Sequence, residues 1–146
     1  MLQSDILFLG AFPARDEEGK APFSGSKGQI LREFLGVEKL SPLVKVANIL
    51  GFTPVGGFPI RVAGLLVKQF TLPPKTLVVG KRVAALFDLG GADYLEWWEI
   101  GEGREMAVIP DLSLTTPWWS WEDNKERAKE FILGSVKVSL YGENNQ

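Results

Sequence analysis

Asp5–Gln29, DILFLGAFPARDEEGKAPFSGSKGQ, carries an apolar segment straight into a charged Gly/Pro loop. It opens with four apolar residues in succession, Ile6, Leu7, Phe8 and Leu9. A strand with one face in water alternates apolar and polar side chains, so this unbroken run predicts a central strand covered on both faces. The chain then enters a Gly/Pro loop at Gly10, and loops leaving the carboxyl ends of parallel strands are where open α/β sheets bind ligands. This loop carries Arg15, Asp16, Glu17, Glu18 and Lys20 before it returns to an apolar residue at Phe23.

Outward from that stretch, short apolar runs alternate with helical periodicity, the pattern of βα units rather than of a meander. GQILREFLGV places Ile30, Leu31, Phe34 and Leu35 on one side of a short helix stopped at Gly36. Val44–Asn48 reads as a second strand, followed by the breaker-rich GFTPVGGFP and a helix over Ile60–Phe70. Thr76–Val79 reads as a third strand feeding a helix over Lys81–Phe87. Tyr94–Ile100 fits either strand or helix, with the Trp97-Trp98 pair favouring strand or loop. Ala107–Ile109 is a fourth apolar strand, and Trp121–Leu133 a helix with Ala128, Phe131 and Ile132 inward. The alternation in VKVSLY predicts an edge strand, and residues 140–146 are expected to fray. The expectation is one domain spanning 1–146, without repeat or linker.

Composition narrows the chemistry. Cys is absent, which excludes disulfides, thiolate catalysis and cysteine-held zinc or iron–sulfur clusters; His is absent too, which removes the usual neutral-pH base and the commonest metal ligand. Acid–base work falls to carboxylates, Lys, Tyr or backbone groups, and no cofactor or metal is expected. A net charge of -2 lacks the basic footprint of most phosphate-neutralising proteins, so DNA binding would need a local basic patch. The first residues form neither a leader nor a membrane span, which predicts a cytoplasmic protein that avoids membranes.

The pattern G-x-x-P-x, a charged run, then P-F-x-G-x-x-G-Q resembles the first motif of the uracil-DNA glycosylase superfamily, especially its thermophile-type iron–sulfur branches. Val46–Ile49 resembles the strand whose terminal Asn reads the uracil edge, and Leu77–Leu86 the strand–Gly–helix unit in the middle of these enzymes. Ile109-Pro-Asp-Leu-Ser113 lies where the family has an H-P-S loop, and PWWSWEDNKERAKEFI resembles a W-W-x-x-x-x-N-R segment of its relatives. The resemblance implies a three-layer α/β domain with a four-stranded parallel central sheet built from Ile6, Val44, Leu77 and Val108. It also implies DNA or a nucleotide as partner. Phe12, Phe23 and Asn48 would then form the base pocket, with a ring stacking on a flipped base and the Asn amide pairing with its edge. Ser113 and Lys27 would anchor phosphate or backbone.

Departures from the family pattern bear on catalysis. The position of a catalytic Glu in one branch is Ala11, the Asp or Asn of others is Phe12, and the late-loop His is Asp111. An anion there raises the cost of releasing an anionic base. Asp16, Glu17 and Asp111 remain as candidate catalytic carboxylates. Duller roles compete throughout: Phe23 as a core or lid ring, Asn48 as a loop cap, Asp16–Glu18 as a solvated turn, Ser113 as a bond within its own loop. Trp118 and Trp119 either fill the core or anchor a protein partner. Three functions are therefore open: hydrolysis of the N-glycosidic bond of uracil or a modified pyrimidine in DNA without a metal; a catalytically silent binding module for protein or nucleic acid; and a free-nucleotide N-glycosidase.

Overall fold

The computed structural model describes residues 3–111 and 122–141. Strand β1 (Leu7–Gly10) leads through two single-turn 3-10 segments, Arg15–Glu17 and Ser26–Gly28, to helix α1 (Gln29–Leu35). Then come β2 (Lys45–Asn48), α2 (Ile60–Val67), β3 (Lys75–Val79), α3 (Lys81–Ala85), β4 (Trp97–Gly101), β5 (Arg104–Ile109) and α4 (Glu122–Tyr141). The strands form one sheet in the order β2-β1-β3-β5-β4. β2, β1, β3 and β5 run parallel; β4 is antiparallel to β5 at the edge.

Each face of the sheet is covered by helices. Ile6, Phe8, Leu77, Val79 and Ile109 pack with α1 and α4, through Ile30, Leu31, Phe34, Ala128 and Ile132. Leu7, Leu9, Val78 and Val108 pack with α2 and α3, through Ala63, Val67, Val83 and Ala84. Successive residues of β1 thus feed opposite cores, which is why the strand needs four apolar residues in a row. α1 stops at Gly36, whose φ of 67° is the left-handed conformation that a side chain resists.

The sequence-based expectations fail in three places. The sheet has five strands because the Trp97–Gly101 segment turns back on β5 through Glu102 and Gly103, both at positive φ as tight hairpin turns require. VKVSLY is not an edge strand but the last part of α4: Ala128, Ile132 and Val136 are buried at a spacing of four, and the Ser135 hydroxyl bonds the Phe131 carbonyl one turn back. An alternation of period two across Val136, Val138 and Leu140 coexists with that helical spacing, and packing on the α1 side of the sheet selected the helix. The charged run is not a wholly solvated turn either, since Glu17 is 1% exposed. Of residues 140–146, expected to fray, Leu140 and Tyr141 form the end of α4, and 142–146 lie outside the described residues. No helix among the described residues is long and apolar enough to cross a membrane.

Candidate functional site

The order β2-β1-β3 places a switch point between β1 and β3: the chain leaves β1 for a neighbour on one side and later adds β3 on the other. Their carboxyl ends diverge there and leave a crevice. A cavity of about 310 Å³ occupies it, lined by Ala11 and Phe12 after β1, Gly80, Lys81 and Arg82 after β3, and Asp111 after β5, with Lys27 and Tyr94 closing its sides.

The loop that carries Lys27 is built around Glu17. Its carboxylate accepts backbone N–H bonds from Ala14 at 3.1 Å, Gly25 at 2.8 Å and Lys27 at 3.2 Å. A buried carboxylate is tolerated when its lone pairs are filled, and three such bonds fix the loop's path. Asp16 accepts from the Ser26 amide and hydroxyl, both at 2.9 Å, and the amide bond foremost holds its carboxyl below the ordinary range. Glu18 accepts from the Thr53 amide at 3.1 Å and ties the β1–α1 loop to the β2–α2 loop; Thr53, chiefly through its side chain, lowers this carboxyl too. Gly28 leaves room for the Phe23 carbonyl, which a Cβ would meet at 1.8 Å, so the second glycine of P-F-x-G-x-x-G is dictated by close backbone approach.

Lys27 thereby enters the cavity wall. Its ammonium donates to the Phe12 carbonyl and lies 4.5 Å from the Phe12 ring centroid. Burial holds the ammonium below the ordinary lysine range, opposed by the carboxylates of Asp111 and Glu17 and assisted by Arg82. Lys81 donates to the Ala92 carbonyl and lies 4.5 Å from the Tyr94 ring. Burial, with Asp111 second, raises the Tyr94 phenol above its usual value and keeps it a proton donor at neutral pH. The Arg82 guanidinium lies 5.9 Å from the Phe12 ring and 5.8 Å from the Phe58 ring. Three cations against the one lining carboxylate, Asp111, give the crevice wall an excess of positive charge on a net-acidic chain.

Asn48 and Phe23 meet beside this crevice, over Gly10. Gly10 pairs with Asn48 in the β1–β2 register, and a Cβ on Gly10 would lie 2.5 Å from Asn48 Oδ1 and 2.8 Å from Phe23 Cζ. The Asn48 Oδ1 is buried and has no hydrogen-bond partner among the described residues. Phe23 is 1% exposed and belongs to the α1/α4 core, with its backbone at φ 60°, a left-handed conformation rare for a bulky residue. Its carbonyl accepts from the Arg32 guanidinium. A second cavity of about 380 Å³ lies against Phe23, Arg32, Leu40 and Val46.

Of the residues singled out from sequence, Phe12, Lys27 and Asp111 line the switch-point cavity and Phe23 and Asn48 come together next to it. Asp16 and Glu17 do not line it; their oxygens are engaged by the loop. Ser113, Trp118 and Trp119 lie outside the described residues. Lys81, Arg82 and Tyr94 were missed, although a Gly80-Lys81-Arg82 step after a buried strand was a legible signal for cations at a carboxyl edge. Among the described residues no three His, Cys, Asp or Glu side chains gather as a metal site.

Comparison with known proteins adds little constraint. No family model matches the chain. A glucose-6-phosphate isomerase from Leptospira interrogans is 29% identical over 121 residues, covering 75% of this chain and 27% of that protein. The chain therefore spans about a quarter of the length of the curated relative it matches.

Proposed function

We propose that the protein is a uracil-DNA glycosylase-like protein that recognises uracil or a modified pyrimidine of DNA, with Asn48 reading the base and Lys27, Lys81 and Arg82 holding phosphate. The observation that carries this reading is the buried Asn48 Oδ1, without a partner among the described residues, beside a crevice lined by three cations. An orphaned buried acceptor costs about 1–3 kcal/mol, a cost removed by a ligand that brings a donor. The N3–H of uracil is such a donor; the unprotonated N3 of cytosine is not. The parallel set β2-β1-β3-β5 and the strained backbone of Phe23 next to Asn48 support the same reading, since strain gathers at ligand clamps.

On this reading Asp111, of the three candidate carboxylates, activates the water, because Asp16 and Glu17 are engaged by the loop, and the neighbouring Lys27 offsets the cost that the Asp111 charge adds to release of an anionic base. The C1′–N1 bond breaks with its electron pair going to the base, water oxygen bonds C1′, and Asp111, the carboxylate on the cavity wall, accepts the water proton. Lys27 beside it offsets the negative charge of the departing base. The test is a panel of single- and double-stranded oligonucleotides carrying uracil, hypoxanthine or modified pyrimidines, scored for alkali-labile abasic sites and, in parallel, for binding. Uracil-dependent cleavage lost in Asn48→Ala is the expected result. Binding without cleavage selects the catalytically silent module instead, and neither activity on any oligonucleotide overturns the proposal.

A second reading has its own observation. The partial match to glucose-6-phosphate isomerase, taken with a small cationic cavity, points to a phosphorylated sugar as ligand. Glucose 6-phosphate added to the binding panel distinguishes the two, because a sugar phosphate has no use for the Asn48 amide in base reading.

A further inference from the structure

An apolar groove of about 580 Å³ adjoins the switch-point cavity and shares Lys81 and Arg82 with it. Its other walls include Phe58, Ile60 and Leu86. Arg82 is the partition, with its guanidinium nearly equidistant from a ring on each side, Phe12 in the cavity and Phe58 in the groove. The two rings are 6.2 Å apart between centroids and tilted by 35°.

Resting on the DNA reading above, we infer that this groove receives the nucleotide next to the recognised one, with the phosphate joining the two held by Lys81 and Arg82. The ligand is thereby a strand of at least two nucleotides rather than a mononucleotide. Two cavities separated by a shared cationic wall match the repeat of a nucleic acid strand, in which each anionic phosphate stands between two apolar, stackable bases. The charge is complementary only for an occupant with its anion between two apolar ends. Ile60 stands at 66% exposure on the first turn of α2, an apolar side chain that the groove's occupant would cover.

The experiment is a titration of the intact protein with 2′-deoxyuridine 5′-monophosphate and with the 5′-phosphorylated deoxyuridine–thymidine dinucleotide, followed by tryptophan fluorescence or calorimetry. The dinucleotide should bind ~10-fold more tightly, the size of one base–aromatic stacking contact. Ile60→Ser should reduce that gain while leaving the mononucleotide affinity unchanged; Ile60 is exposed, so its replacement tests the groove without disturbing the core. Equal affinities for the two ligands overturn the inference and leave the base-reading proposal standing. Binding of neither ligand removes both. A concentration-dependent dimer in sedimentation that Ile60→Ser abolishes, without a dinucleotide gain, assigns the groove to a second copy of the chain and overturns it as well.

Discussion

The amide oxygen of Asn48 and the Cα of Gly10 face each other so closely that a Cβ on Gly10 would stand 2.5 Å from that oxygen. The Phe23 ring edge bounds the same space at 2.8 Å. Gly10→Ala must therefore displace the Asn48 amide, the Phe23 ring or both. Overpacking of this kind costs about 1–3 kcal/mol. The expected outcome is a folded protein with a lowered urea midpoint and no base discrimination, measured by equilibrium unfolding and by oligonucleotide binding.

Asn48→Ala is expected to behave differently. It removes a buried acceptor that has no partner among the described residues, so no hydrogen bond seen there is lost at Oδ1 and an unsatisfied group is removed. The melting temperature should stay within a degree or two of wild type, about what a change under 0.5 kcal/mol produces, while binding of uracil-containing ligand falls at least ~10-fold. A fall in stability of several degrees would show that the amide is structural.

Glu17→Ala tests the loop that supplies Lys27. Three buried or half-buried N–H groups lose their acceptor at once. At about 1–3 kcal/mol for an abandoned buried donor, partly relieved by water, a loss of roughly 3 kcal/mol is expected. Hydrogen exchange at Gly25 and Lys27 should accelerate before the sheet amides are affected, and phosphate affinity should fall with it.

Lys27 links binding and stability to pH with opposite signs. Its folded pKa lies below the unfolded value near 10.5 because burial disfavours the ammonium. Between the two values the unfolded chain binds more protons, so this group's penalty is fully present below the folded pKa and is relieved as pH rises towards 10.5. Phosphate binding needs the ammonium, so affinity should fall as pH climbs through the lowered pKa, earlier than for a solvated lysine. Lys27→Met should weaken phosphate binding ~10-fold, as expected for one charge-assisted contact, and abolish that alkaline fall. An unchanged pH profile in the variant assigns the anion to Lys81 and Arg82 alone.

Short-range patterns along the chain encode much of the local architecture. The apolar run Ile6–Leu9 around β1, the αL stop of α1 at Gly36, the Gly-rich loop after Phe23 and the parallel βα units were legible because each depends on periodicity or on a glycine's backbone freedom over a few neighbouring residues. The pairing of Phe23 with Asn48 was also within reach, since both follow from strand ends at one sheet edge. Only tertiary structure decided whether VKVSLY became strand or helix, because both periods are present in those residues and the α1/α4 core chose between them. Packing likewise decided that Glu17 is a buried clamp while Asp16 and Glu18 beside it stay in solvent: its partners, Gly25 and Lys27, arrive from the other limb of the loop. The cationic crevice itself has no linear signature. Lys27, Lys81, Arg82 and Asp111 come from three segments far apart in the chain, and parallel strands joined by crossovers bring such distant segments to one edge only when the whole sheet has formed.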